Sequence, residues 1–146
     1  MRNALVKLSF EERQFLESES IARMGTVSNI GMPHVAPVCY ALHNDKILVP
    51  IDIRAPRKKA NLEQQKKVCL VIDHYEPEDW SKLKGVLIQG VAGIIRGGKT
   101  FRMARDLIYQ RYPPFKTSIP IEEGETHWFV SIKPVRIASW GLKKAS

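Results

Sequence analysis

The strongest constraint on this chain is a succession of apolar, strand-length runs joined by connections too short for anything but antiparallel pairing. IARMGTVS (21–28) and HVAPVCYALHN (34–44) flank the turn NIGMP (29–33), where Asn29 and Gly31 supply turn conformations and Pro33 ends the loop. Asn44 and Asp45 then turn the chain into KILVPIDI (46–53). VCLVIDHY (68–75), KGVLIQGVAGII (84–95) and HWFVSIKPVRIASWG (127–141) complete the set, the last interrupted at Pro134. Parallel neighbours need crossovers of about a dozen residues or more, so most of these strands must pair antiparallel. The pattern predicts a mainly β fold, about six strands with helices flanking them.

Three helices are predicted. Ser9 and Glu12 have capping-box spacing and start a helix that should run to about Glu19. A basic helix, PRKKANLEQQKK, covers 56–67. A third follows Gly98 and places Phe101, Ala104, Ile108 and Tyr112 on one face.

At 146 residues the chain reads as one domain, 1–146, able to bury roughly 70% of its unfolded surface. The segment MRNALVKLSFEERQ meets charge too soon for an export signal, and no apolar stretch approaches the ~18 residues of a membrane span. A cytoplasmic protein without a membrane partner is predicted. Cys39 and Cys69 lie inside apolar runs, where buried free thiols are expected rather than a disulfide or a metal pair. The net charge of +8 favours an anionic partner. No strand interleaves aromatic with basic residues, which disfavours nucleic acid.

GIIRGGKT (93–100) matches the phosphate-loop pattern, with Gly93, Gly98, Lys99 and Thr100 at its fixed positions. Such a loop needs further parallel strands downstream, one ending in an acidic magnesium ligand, and only 46 residues follow Thr100. The segment reads instead as a strand, a turn and a helix start.

A second anion site is written in IRAPRKKANL (53–62). Pro56 suits a first helical turn, yet Arg57, Lys58 and Lys59 put cations where the helix dipole is already positive. A bound phosphate would resolve that conflict; a solvated basic helix end would tolerate it.

The runs Gly25-Thr26, Gly31-Met32-Pro33-His34, Pro37-Val38 and PRKKANL, in this order, resemble the pyridoxamine 5′-phosphate oxidase-like family of flavin-binding split β-barrels. The likeness extends from about Phe15 to Ile95 and returns weakly at PVRIASW. DHYEPEDWSKL (73–83) is similar to the branch of probable deazaflavin-dependent enzymes. The resemblance implies a six-stranded antiparallel split barrel that forms a homodimer, with FMN, or alternatively a deazaflavin coenzyme, in each groove between protomers. It implies an oxidoreductase acting on a small molecule, or alternatively a flavin-binding protein without turnover.

By the same resemblance Arg57 and Lys58, or Lys59 in place of the second, would bind the cofactor phosphate, and the backbone of Pro50, Ile51 and Asp52 would line the flavin edge. Small hydroxyl residues are usual where Ile51 and Asp52 stand, and an aspartate would repel a phosphate. His34 and Gln89 match positions near the ring, whereas surface positions are their simpler reading. Trp80 and Trp140 match aromatics near the groove and suit dimer packing equally. No catalytic side chain emerges. His43, His74 and His127 lack a ligand framework, so no metal site is predicted.

Overall fold

The computed structural model describes residues 6–143; the first residues of the segment read for export lie outside it. Seven strands form one sheet: β1 (Ala22–Val27), β2 (Pro33–Val38), β3 (Ala41–His43), β4 (Lys46–Asp52), β5 (Lys67–His74), β6 (Lys84–Ile95) and β7 (His127–Trp140). Their order is β2-β1-β5-β6-β7-β4-β3, and every pairing is antiparallel. The two edge strands, β2 and β3, are consecutive in sequence with only Cys39 and Tyr40 between them. Two residues span at most about 11 Å between flanking Cα atoms, so the sheet must curl until its edges nearly meet. No ladder joins those edges, and the result is a split barrel.

The predicted single strand 34–44 is therefore two strands. Tyr40 causes the break: its amide donates to the Tyr112 hydroxyl at 3.2 Å, and its own hydroxyl donates to the carbonyl of Glu19 at 3.0 Å. Arg111 stacks on the Tyr40 ring at 4.7 Å and donates to the Leu16 carbonyl at 2.8 Å. Together they satisfy carbonyls at the end of helix α1 (Phe10–Ser18) that would otherwise lack partners. The other end of α1 carries the predicted capping box, Glu12 N to Ser9 Oγ at 3.1 Å and Ser9 N to Glu12 Oε1 at 2.8 Å.

Alternate residues of β1, β5 and β6, among them Met24, Leu70 and Ile88, fill the barrel. Strand β4 is buried on both faces. Ile47, Val49 and Ile51 point into the barrel, while Leu48 lies under helix α3 (Lys99–Arg111). Phe101, Ala104 and Ile108 of α3 are fully buried there, as their spacing predicts. Each of the two larger side chains contributes about 1.5–3 kcal/mol. Helix α2 (Pro56–Gln64) ends before the predicted Lys67, because Lys67 is drawn into a ladder opposite Val91. A short helix, α4 (Phe115–Ser118), follows α3. No helix among the described residues is long and apolar enough to cross a membrane.

Pro134 does not interrupt β7. Strand β4 pairs only as far as Ile132, so the missing amide faces no partner on that side. On the other side the ladder slips between Gln89 and Gly90, leaving Val135 bulged out and exposed. Gly90 is needed at that slip, since a Cβ there would stand 2.5 Å from the Lys133 carbonyl oxygen. Gly90→Ala is expected to cost about 2 kcal/mol, seen as a melting temperature about 4–8 °C lower.

Candidate functional site

The cross-strand registers build a straight row on the outer face of the sheet. Val35 of β2 stands beside Gly25 of β1, then Cys69 of β5, Gln89 of β6 and Arg136 of β7. At Gly25 a Cβ would lie 2.7 Å from Cys69 Sγ, so the floor is lowest at these two residues. Walls from Val35, Val91 and Val135 make it a mostly apolar trough of about 500 Å³.

A second cavity, of about 270 Å³, adjoins it where the β1–β2 turn folds over helix α2. Gly31, at φ 85°, closes that turn, and Ser28 Oγ accepts the Met32 amide at 3.0 Å. Its lining includes Ser28, Asn29, Arg57 and Asn61. Arg57 and Asn61 share a helix face by their four-residue spacing. Asn61 is buried and donates through Nδ2 to Thr26 Oγ1 at 3.1 Å, pinning the helix to β1. The start of α2 at Ala55 has no side-chain cap.

Pro33 and His34 belong to both linings. His34 Nδ1 is buried and has no hydrogen-bond partner. Leaving such a nitrogen unpaired costs about 1–3 kcal/mol, which a ligand at this junction would relieve.

The structure brings His34 and Gln89 to the trough and Arg57 to the polar cavity. Lys58 lies on the His127 side of the helix start, where its charge acts on that imidazole. Lys59 is held elsewhere, 3.2 Å from Glu63 and 5.0 Å above the Trp128 ring. Pro50 and Ile51 are buried within β4 and line neither cavity. Asp52 is clasped by Arg54, whose Nε and Nη2 each donate to one carboxylate oxygen at 2.9 Å. Those hydrogen bonds hold the Asp52 carboxyl below its ordinary range, and the pairing counters the repulsion expected toward a phosphate. Trp80 sits in an exposed 3₁₀ turn (Trp80–Lys82), edge-on to Tyr75 at 5.9 Å. Trp140 lies over Gly85 on the same outer face as Gln89, four residues away along β6. Both cysteines are free, but half-buried rather than buried, with Cys69 open to the trough.

In GIIRGGKT the helix start is occupied by the protein's own carboxylate. Gly98 N donates to Glu123 Oε2 at 2.6 Å, and Arg102 donates to Oε1 at 3.1 Å. Gly98 is the cap of α3 at φ 92°, and Gly93, Ile94 and Ile95 are strand residues. The basic stretch 96–116 is largely engaged in structure: Arg102 with Glu123, Arg105 toward the Ile121 carbonyl, and Arg111 on α1. Arg96 turns toward α2, stacking on Trp128 at 4.6 Å with Lys59 also over that ring.

His127 is a site neighbour the sequence reading passed over. It is buried opposite Asp52 in the β4–β7 ladder, with Nδ1 2.7 Å from Thr126 Oγ1. Burial pushes its pKa down, Asp52 opposes this, and Arg54 and Lys58 add to it. The amide of Gly98, with Arg102, likewise holds the Glu123 carboxyl below its usual range. In all three groups the folded state binds protons less readily than the unfolded chain. Stability is therefore full above the ordinary histidine and carboxylate values, about 6.5 and 4, and falls as pH drops through them. Thermal melts from about pH 8 to 2 should show this decline, with His127→Asn flattening its upper part.

Asn61 and Thr26 were also missed as a pair. The available signal was the four-residue spacing of Asn61 from Arg57 on a helix that otherwise presents cations.

The 5a,11a-dehydrotetracycline/5a,11a-dehydrooxytetracycline reductase of Streptomyces rimosus is 24% identical over 137 residues, covering 91% of this chain and 82% of that one. HutZ, the heme storage protein of Vibrio cholerae, superposes with a TM-score of 0.76 at 17% identity, covering 94% and 96% of the two chains. A FAD-binding protein of Mesorhizobium loti gives 0.71 at 17% identity, covering 90% and 94%. The sequence matches the profile of the pyridoxamine 5′-phosphate oxidase family over residues 8–140. With a split barrel of the same kind around that match, the chain belongs to the pyridoxamine 5′-phosphate oxidase family.

Proposed function

We propose that this protein is a flavin-dependent oxidoreductase that binds FMN in a groove between two protomers and transfers hydride to or from a small organic molecule. The observation that carries this reading is the unpaired Nδ1 of His34, at the junction of an apolar trough and a polar, arginine-lined cavity. A ligand with a flat apolar end and an anionic end would occupy both, and FMN is such a molecule. Arg57, Lys58 and the uncapped amides of α2 would hold the phosphate. His34 and Gln89 would orient the ring, and the low floor at Gly25 and Cys69 would let it lie flat. The flavin, when bound, supplies the hydride chemistry, so no protein nucleophile is required.

The outer face gives the reason for a homodimer. Val35 is 67% exposed, Val135 59% and Val91 44%, in one patch with the trough. A second protomer would cover them.

The deazaflavin coenzyme ranks close behind FMN. Its phosphodiester and acidic tail would gain from Arg96 and Lys59, which meet over Trp128 near the start of α2. The Streptomyces rimosus relative is a reductase and the Mesorhizobium loti neighbour binds FAD, in keeping with a redox cofactor; the heme storage neighbour shows that one fold carries different ligands.

The test is a titration of ligand-free protein with FMN, the deazaflavin coenzyme and hemin, followed by fluorescence or absorption. FMN should saturate at one equivalent per protomer. A response to the deazaflavin alone reverses the order of cofactors, and a response to hemin alone overturns the reading. His34→Leu should raise the melting temperature of the ligand-free protein, because an unpaired nitrogen is removed, while weakening FMN by about tenfold.

A further inference from the structure

The start of helix α2 is built against His127. Ala55 N donates to the Asp52 carbonyl at 3.1 Å and Ile53 N to the Thr126 carbonyl at 2.9 Å, so the residues entering the helix are fastened to the strand pair Asp52–His127. The imidazole is buried there, with Nδ1 2.7 Å from Thr126 Oγ1 and the Phe115 ring of α4 6.3 Å away between centroids. Charges face it from the surrounding elements: Asp52 from β4, Arg54 from the connection that follows, and Lys58 from α2. In the loop before β7, Glu123 is held by Gly98 and Arg102, and Glu122 acts on Arg54. Asp52 is already bonded by Arg54 through two hydrogen bonds of 2.9 Å. A proton on His127 therefore adds positive charge beside Lys58, which an incoming anion would offset.

We infer that proton uptake by His127 and anion binding at the start of α2 are linked, so that the protonated imidazole tightens the hold on the cofactor phosphate and the bound phosphate keeps the proton on His127. This rests on the reading of that helix start as the phosphate site and describes its regulation. Burial disfavours the proton in the ligand-free protein, with Arg54 and Lys58 adding to the effect and Asp52 opposing it, so the linkage operates below neutral pH. Linkage is reciprocal: whatever factor the proton adds to anion affinity, the anion adds to proton affinity. Between neighbouring side chains at an effective dielectric of about 20, that factor is about tenfold.

The test uses the full wild-type chain, with the ring nitrogens of His127 followed by NMR from about pH 8 to 5. The protein is measured ligand-free and with saturating FMN, riboflavin or inorganic pyrophosphate. FMN and pyrophosphate should each move the His127 midpoint upward by about one pH unit, whereas riboflavin, which lacks the phosphate, should leave it in place. His74, paired with Glu76 at the far end of β5 from the helix, should not respond to any of the three. In fluorescence titrations the ratio of FMN affinities, wild type over His127→Asn, should grow from about one at pH 8 to about ten at pH 5, and the phosphate's own protonation cancels in that ratio. A midpoint unmoved while FMN is bound overturns the inference and leaves the flavin reading standing. Failure to bind FMN, with the midpoint raised by pyrophosphate, does the reverse. An equal shift with riboflavin overturns the inference, because the effect would then come from covering the groove and not from the phosphate. Protein that binds neither FMN nor pyrophosphate removes both readings.

Discussion

Replacing Arg57 and Lys58 together by alanine is expected to weaken FMN binding by at least ~100-fold. Each charge-assisted hydrogen bond is worth ~1.5–3 kcal/mol, and two are removed from a helix start that has no other cap. Lys59→Ala should change affinity little, because that ammonium is already held by Glu63 and Trp128. Lys99→Ala should do nothing to ligand binding: the amide of Gly98 beside it is occupied by Glu123. Isothermal titration of the four proteins checks this. ATP binding lost in Lys99→Ala, with FMN affinity intact in the double variant, would reverse the assignment of the two phosphate-like segments.

The second large effect concerns assembly. Wild type should sediment as a dimer at micromolar concentration, and Val35→Glu as a monomer that no longer retains FMN. Val35 is two-thirds exposed on an apolar face, and in a two-fold dimer a carboxylate there is buried twice. The cost of desolvating an unpaired charge is several kcal/mol per site, enough to raise the dissociation constant by about a thousandfold or more. A monomeric wild type that still binds FMN would mean that the groove is complete within one chain.

What could be read in the sequence was what local chemistry decides. The capping box at Ser9, the buried face of α3 and the bounds of β6 follow from side chains within a few residues of each other. Most strands followed from alternation and turn residues, including Asn44, which adopts φ 55° in the β3–β4 turn. The features that escaped are set by distant partners. Tyr40 divides β2 from β3 through a hydroxyl 72 residues away. Helix α2 stops early because the Lys66 carbonyl accepts the Ala92 amide and Lys67 pairs across to β6. Pro134 reads as a strand breaker until the register shows a bulge beside it and no β4 partner.

The site divides the same way. Cations at a helix start pointed to Arg57 and the family resemblance to Gln89, and the structure sets these residues in the lining of the two adjoining cavities. That Asp52 would be neutralised by Arg54, two residues on, depends on a turn geometry that composition does not specify. Pro50 and Ile51 have buried side chains because β4 is covered on both sides, and only their backbone is left to meet a cofactor. The trough itself is a product of register, assembled from Gly25, Cys69 and Gln89 on three strands.

The central claim is that this groove holds a flavin-type cofactor, and the absorption spectrum of the protein as purified from cells, repeated after incubation with FMN and removal of excess, tests it most directly. The expected result is the two-banded flavin spectrum, or the single band of a deazaflavin, retained through gel filtration and lost in Arg57→Ala, Lys58→Ala. A spectrum with only a Soret band, unchanged by FMN or the deazaflavin coenzyme and unaffected by the double variant, would contradict it.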